Sequence, residues 1–370
     1  MKIAIIGTKG IPPSFGGFET FVYELSKRIN GTNNISLIIY GEGNQDEIVR
    51  DEYEGIKRVI IPRKGRLDVV KNRVEAVRDA VANEKCSIIY LLGYSSAPFI
   101  SWIDLRKRKV KFIINPDGLE WKRSKYSFTV REYLKYCERV AVNNADLIIV
   151  DSKAIGNYIL SKYKRKSVYI PYGCNCQQSQ YNDIEILRNL GLDKMSYYLV
   201  VGRCVPENNI LEIVKGFRLS SISKKLLILT NFSDDVYSKK VIQFSNYDKR
   251  IILHKPIYEM DTLYILRKNS FGYIHGHSVG GTNPSLVEAM GSGNIVVAHN
   301  NEFNREVLGE ELGYFFSNEF ELKEVLEALE KEKALDVKRN LIKERACSLY
   351  NWDNIAQSYL ELFTSMEVHH

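Results

Sequence analysis

No run of about 18 uncharged apolar residues occurs in the chain, so the sequence offers no membrane-spanning helix. The opening Met1-Lys2-Ile3-Ala4-Ile5-Ile6-Gly7 is not expected to be a secretory leader, because it is too short and meets glycine too soon. A cytoplasmic protein is expected. Cysteine is sparse: six residues, at 86, 137, 174, 176, 204 and 347, most of them in apolar or strand-like segments. That usage predicts reduced structural thiols and argues against a secreted disulfide framework. Cys174 and Cys176 form only a CxC pair, with no second pair and no histidines at ligand spacing, and read as a turn rather than a zinc site. The basic stretches Arg63-Lys64-Gly65-Arg66 and Lys162-Tyr163-Lys164-Arg165-Lys166 lack any DNA- or RNA-binding motif, which leaves nucleic acid unsupported as a partner. His369 and His370 resemble the remnant of a purification tag and are given no chemical role.

What is present is ordinary globular material: 45% hydrophobic and 26% charged residues in a chain of 370, enough for two domains. The net charge of +7 is a modest excess that suits an anionic membrane surface or a phosphorylated substrate. Short apolar runs at Lys2–Ile6, Ser36–Tyr40, Ile56–Ile61, Ser87–Leu91, Val110–Asn115, Leu147–Val150 and Val168–Ile170 alternate with amphipathic stretches. Such runs with long crossovers predict a mainly parallel sheet covered on both faces. A second set follows at Tyr197–Val201, Lys225–Leu229, Arg250–Leu253, Phe271–Ile274 and Asn294–Ala298. The polar stretch from Gln177 to Asp183 marks the crossing, giving domains of 1–174 and 175–350 with a cleft between them. Trp352, Ile355, Tyr359 and Phe363 share one face of a final helix, within 351–368, that packs on either domain.

Four segments carry candidate chemistry. After the first strand, Gly7-Thr8-Lys9-Gly10-Ile11-Pro12 leads to Gly16-Gly17-Phe18-Glu19-Thr20, where glycines and a helix start offer an anion-binding end. The third glycine of a dinucleotide fingerprint is absent at its offset, which excludes the dehydrogenase pattern. Asn115-Pro116-Asp117-Gly118-Leu119-Glu120-Trp121 follows another strand; Asp117, Glu120 and Trp121 are acceptor candidates, with Tyr94 on the same rim. In the second half, Gly202-Arg203 ends a strand and places a guanidinium where a diphosphate would dock, while Pro206-Glu207 opens a helical turn. The last segment runs His275-Gly276-His277-Ser278-Val279-Gly280-Gly281-Thr282-Asn283-Pro284-Ser285 into a helix on which Glu288 lies one turn in, suited to ribose hydroxyls. His275 and His277 share a strand face but find no third ligand, and Asp234-Asp235 beside Ser233 reads as a helix cap; no metal is expected.

Together these segments resemble glycosyltransferase family 4, and within it the bacterial rhamnosyltransferase branch whose N-terminal domain was formerly of unknown function. The resemblance covers nearly the whole chain and implies the GT-B fold, with two Rossmann-like domains facing across a cleft. It implies retaining transfer, without metal or cofactor, from a nucleotide sugar such as dTDP-L-rhamnose to a lipid-linked saccharide in surface polysaccharide synthesis. Carried over residue by residue, Arg203, Asp117 and His277 are the catalytic candidates. Gly16, Gly17, Arg203, Gly280, Gly281, Thr282, Asn283, Ser285 and Glu288 would bind the donor, and Asp117, Glu120, Trp121 and Tyr94 the acceptor. Two positions depart from the family pattern: Asn208 stands where a lysine is usual, and Gly280 where the first of two glutamates is usual, so that His277 and Asn283 take over its contacts. UDP-glucose or UDP-N-acetylglucosamine as donor, or a noncatalytic glycan-binding protein, are the competing readings.

Overall fold

The computed structural model describes residues 1–13, 16–63, 65, 68–100, 105, 109–123, 126–176 and 183–367. Lys64 and Arg66 of the first basic stretch, residues 177–182 of the polar crossing and the final two histidines lie outside them. The chain divides into two compact units: Met1–Tyr172 together with Trp352–His370, and Gly173–Asn351.

Unit 1 is built on β1 (Lys2–Ile6), β2 (Ser36–Gly43), β3 (Val49–Tyr53), β4 (Ile56–Pro62), β5 (Ile88–Leu92), β6 (Lys111–Asn115), β7 (Leu147–Val150) and β8 (Val168–Tyr169). Their spatial order is β3-β4-β2-β1-β5-β6-β7-β8, with only the β3–β4 pair antiparallel. The central strands are apolar on both faces, as burial under helices on both sides demands. β3 escapes the sequence pattern because Val49-Arg50-Asp51-Glu52-Tyr53 is mostly charged. It is an edge strand, where Arg50 pairs with Asp79 at 2.6 Å and charge discourages pairing with another chain. The C-terminal helix Trp352–Glu367 belongs to this unit. Phe21 of the helix Gly17–Ile29 packs within 5.7 Å of Tyr172 and 5.4 Å of Tyr359, ring centre to ring centre, and Tyr90 meets Tyr359 hydroxyl to hydroxyl at 3.0 Å. Burying side chains of the size of Trp352, Ile355 and Phe363 contributes about 1.5–3 kcal/mol each, which makes the helix a structural part of unit 1.

Unit 2 comprises β9 (Tyr197–Val201), β10 (Lys225–Leu229), β11 (Ile251–His254), β12 (Gly272–His275), β13 (Val296–His299) and β14 (Tyr314–Phe316). All are parallel, in the doubly wound order β11-β10-β9-β12-β13-β14. β14 is too short to signal itself in the sequence and is recruited by pairing with β13. The expectation of six reduced cysteines is corrected here: Cys176 and Cys347, 171 residues apart, form a disulfide between the segment entering unit 2 and the helix Leu335–Leu349. Spacing along the chain hides a pair of that separation. Cys174 beside it stays a buried thiol, its pKa pushed up to about 12 by burial. Among the described residues no helix is long and apolar enough to cross a membrane.

Candidate functional site

In an open parallel sheet, ligands bind outside the carboxyl ends of the strands where the strand order reverses, because the connections there leave in opposite directions and open a crevice. In unit 2 this point lies between β9 and β12. β9 runs into Gly202-Arg203, and Arg203 is exposed. Pro206–Asn208 form one 3-10 turn, and Asn209, at φ +48°, separates it from the helix Ile210–Leu219. The helical turn expected at Pro206-Glu207 is present as a single 3-10 turn, set apart from the following helix by the left-handed residue, and the Asn208 side chain turns back onto it. Its Nδ2 donates to the Arg203 carbonyl at 2.8 Å, and its Oδ1 meets His277 Nδ1 at 2.7 Å.

β12 ends at His275, so His277 belongs to the loop, and the shared strand face expected for the two histidines does not exist. Their rings still lie 6.2 Å apart. His275 is buried, its Nε2 has no hydrogen-bond partner among the described residues, and burial drives its pKa well below the usual histidine value, keeping it neutral. Further along, Asn283 caps the helix Pro284–Gly291 by accepting from Ser285 N at 3.0 Å, with Pro284 at the favoured first position. Ser285 Oγ touches Tyr273 Oη at 2.5 Å and donates to the Val201 carbonyl at 3.3 Å, tying that helix start to β9 and β12. Thr282 is buried, while Gly280 and Gly281 are half-buried. Glu288 is one turn into the helix, and its Oε2 pairs at 2.6 Å with Arg267, a residue only 3% exposed. That pairing, invisible in the sequence, gives Glu288 a structural duty besides the expected one. Asp235 caps the helix Val236–Ser245, and hydrogen bonds from Ser233 and Ser238 pull its pKa down to about 2. Among the described residues no group of three or more His, Cys, Asp or Glu is placed to hold a metal ion.

In unit 1 the order reverses between β1 and β5. The loop after β1 is fastened from within. Glu19, the third residue of the helix Gly17–Ile29, accepts from Thr8 Oγ1 at 2.9 Å and Lys9 N at 2.8 Å, and Gly10 N donates to Thr8 Oγ1 at 3.2 Å. Those amides are therefore turned inward, and a carboxylate already answers this helix start. Of the expected anion cradle, Gly16 and Gly17 remain at the surface, with Ser14 and Phe15 outside the described residues. Arg73, on the helix Asp68–Ala82, spans the reversal: it donates to Ser95 Oγ at 3.0 Å and to the Gly7 carbonyl at 3.2 Å. Burial lowers its pKa, while Glu42, Glu120 and Asp117 act to raise it. Nothing in the sequence around Arg73 signals this role.

Asp117 adopts φ +59°, a left-handed conformation that aspartate tolerates, and its N–H donates to Asn115 Oδ1 at 2.9 Å. Arg123 bridges Asp117 at 3.5 Å and Glu120 at 3.3 Å, so the two expected acceptor carboxylates do come together. Trp121 is held differently. Its indole donates to the buried Glu138 at 2.9 Å, and the ammonium groups of Lys122, Lys135 and Lys162 sit 5.7, 5.1 and 5.5 Å from its ring centre. Tyr94 is 2% exposed, and burial raises its pKa far above the ordinary range. Its place on the rim is corrected accordingly: the ring is core, beneath the loop.

Comparison with known proteins follows this geometry. Residues 1–175 match a family described as a domain of unknown function, DUF1972. No curated protein sequence matches the chain. Sucrose-phosphate synthase from Thermosynechococcus elongatus is similar over 100% of both chains, with TM-score 0.81 and 18% identity. HepE from Anabaena, solved with UDP-glucose, aligns over 99% of this chain and 100% of its own, with TM-score 0.78 and 15% identity. The catalytic domain of starch synthase IV from Arabidopsis thaliana, solved with ADP and acarbose, covers 98% of each chain with TM-score 0.72 and 12% identity. The fold is thus that of GT-B glycosyltransferases, two Rossmann-like units in one chain.

Proposed function

We propose that this protein is a retaining glycosyltransferase that takes its sugar from a nucleoside diphosphate. The observation that carries the reading is the reversal point of unit 2, where an exposed arginine and a capped helix start flank the carboxyl ends of β9 and β12 in a fold otherwise seen with UDP-glucose and ADP. A guanidinium suits the developing charge on the departing phosphate, and a helix start supplies further positive potential. Arg203 is assigned to the diphosphate, Gly280, Gly281 and Thr282 with the Asn283–Ser285 helix start to the donor's anionic and sugar portions, and Glu288 to the ribose while it holds Arg267. The motif resemblance assigns Gly16 and Gly17 to the donor as well. Asp117 and Glu120, joined by Arg123, are assigned to the acceptor, with Asp117 orienting a hydroxyl rather than acting as nucleophile.

The finer reading is L-rhamnose from dTDP-L-rhamnose, delivered to a lipid-linked saccharide at an anionic cytoplasmic membrane face; the motif resemblance and the net charge of +7 support it. Arg63, one of the basic residues considered for that surface, is already paired with Glu42 at 2.7 Å, which shifts the burden to other cations. A panel of dTDP-rhamnose, UDP-glucose, UDP-N-acetylglucosamine and ADP-glucose, with lipid-diphosphate saccharides as acceptors, tests both levels. Transfer with retained anomeric configuration, unaffected by EDTA, is the expected outcome. Transfer only from UDP-glucose would replace the donor, and binding of glycan without product would make this a binding protein.

A further inference from the structure

We propose that Cys176 and Cys347 form a site of reversible thiol–disulfide exchange, and that the bridged form holds the helix Pro284–Gly291 in place for nucleotide binding. The nucleotide and the reducing compartment rest on the glycosyltransferase reading above, while the hold on the helix does not.

Exposure sorts the six cysteines into two groups. Cys86, Cys137, Cys174 and Cys204 are buried free thiols, whereas Cys176 and Cys347 are half-buried and joined to each other. A disulfide that solvent reaches is open to attack by an outside thiolate, and in a reducing cytoplasm such a bond belongs to regulation rather than to permanent framework. Cys174 lies only 4.0 Å from the Cys176 sulfur, but burial raises its pKa to about 12, so it stays a thiol and leaves the exchange to external thiols. The step balances with a small thiol such as glutathione. Its thiolate attacks one sulfur of the disulfide, forming a mixed disulfide and releasing the other sulfur as a thiolate that takes up a proton. A second glutathione thiolate then attacks the glutathione sulfur of the mixed disulfide and frees the second cysteine. Two electrons pass to the protein and oxidised glutathione leaves; reoxidation is the reverse, with oxidised glutathione as the oxidant.

The disulfide joins the two ends of unit 2, and both ends bear on one helix. On the entering side, Cys174 N donates to the Tyr350 carbonyl at 2.7 Å, and Cys174 makes a single parallel strand pairing with Asn351. A Cβ on Gly291 would stand 2.9 Å from Cys174 Sγ and 3.3 Å from the Asn175 carbonyl oxygen, so this segment lies directly against the last turn of the helix Pro284–Gly291. On the other side, the helix Leu335–Leu349 packs against the same helix. Its Arg339 donates to the Gly293 carbonyl at 3.4 Å and to the Phe271 carbonyl at 2.5 Å, just beyond that helix and just before β12. Opening the crosslink returns freedom to both supports: Asn175 and Cys176 on one side, the end of Leu335–Leu349 on the other. The helix that they steady is capped by Asn283 and carries Glu288, both assigned above to the donor.

The test uses the full chain, first oxidised and then treated with reduced glutathione in the absence of denaturant. Mass spectrometry of alkylated peptides is expected to find Cys176 and Cys347 released together, and their bond restored by oxidised glutathione. Hydrogen exchange at the amides of 284–291, which needs no ligand, is expected to quicken by roughly tenfold on reduction, and the melting temperature to fall by roughly 5–10 °C. Cys347→Ser should match the reduced parent and no longer respond to glutathione. Calorimetry with UDP and dTDP is expected to show binding about three- to tenfold weaker in the reduced parent, because a smaller fraction of molecules holds the helix in its binding form. A disulfide that glutathione reaches only after unfolding overturns the exchange site. Unchanged hydrogen exchange in 284–291 after reduction overturns the hold on the helix, and equal nucleotide affinity in both forms overturns the effect on binding. If neither nucleotide binds in either form while the helix still loosens on reduction, the glycosyltransferase reading fails and the exchange site stands.

Discussion

At the carboxyl edge of unit 1 the charges are matched within the chain: Arg63 with Glu42, Arg123 with Asp117 and Glu120, and the Thr8–Lys9 loop with Glu19. At the equivalent edge of unit 2, Glu288 is matched with Arg267, whereas Arg203 is exposed and the turn after it is shaped by the neutral amides Asn208 and Asn209. The same doubly wound geometry therefore carries two electrostatic solutions. Internal pairing stiffens a loop but spends the charge that an anionic ligand would use. An exposed arginine held by a neutral scaffold keeps its charge for the ligand, at the cost of little stability of its own.

The sharpest way to break this contrast is Arg203→Ala. Removal of a charged donor at the developing phosphate charge should lower kcat/KM by about 10²–10³-fold and weaken UDP or dTDP binding, while the melting temperature holds because the side chain is exposed. Parent-like kinetics in a folded variant would remove the phosphate assignment. Glu19→Ala should do the reverse. It strips the acceptor from Thr8 Oγ1 and Lys9 N, costing about 1–3 kcal/mol in denaturant unfolding with nucleotide affinity preserved. If stability is untouched, the loop is not fastened as described.

Smaller effects sharpen the comparison. Asp117→Asn keeps a residue that tolerates φ +59°, so folding should persist while turnover with acceptor drops by about tenfold and donor affinity stays level. Equal losses of both would take Asp117 away from the acceptor. The least effect concerns His275 of unit 2, whose folded pKa is depressed by burial. Below the unfolded value of about 6.5 the unfolded chain gains a proton that the folded state refuses, so stability present above that pH declines as pH falls, by up to about 1.4 kcal/mol per unit. Urea unfolding at pH 7 and 5.5 should show this slope in the parent and a flatter one in His275→Phe. Identical slopes would mean that His275 is not buried as a neutral ring.

Much of the architecture was legible before any coordinates. β1, β7, β9 and β10 have the bounds that their apolar runs predict, because a strand buried on both faces must be apolar throughout and stops where polar residues and glycines begin. β3 and β14 were not, one being a charged edge and the other a three-residue strand. Within the candidate sites, the loops that follow β6, β9 and β12 were identifiable from their glycines, prolines and polar side chains. The partners were not: Arg267 for Glu288, Glu138 for Trp121, Glu19 for the Thr8–Lys9 loop.

The sequence by itself determined the alternation of strand and helix, the two α/β halves and the loops that would stand at sheet edges, since each follows from local periodicity and turn chemistry. Only the tertiary structure decided that the last helix completes unit 1, that Cys176 finds Cys347 across 171 residues, and that Asn208 meets His277, 69 residues away. Those pairings depend on which loops a parallel sheet brings to a common edge. Crossover connections make neighbours at that edge out of residues far apart in the chain, and local pattern carries no trace of them.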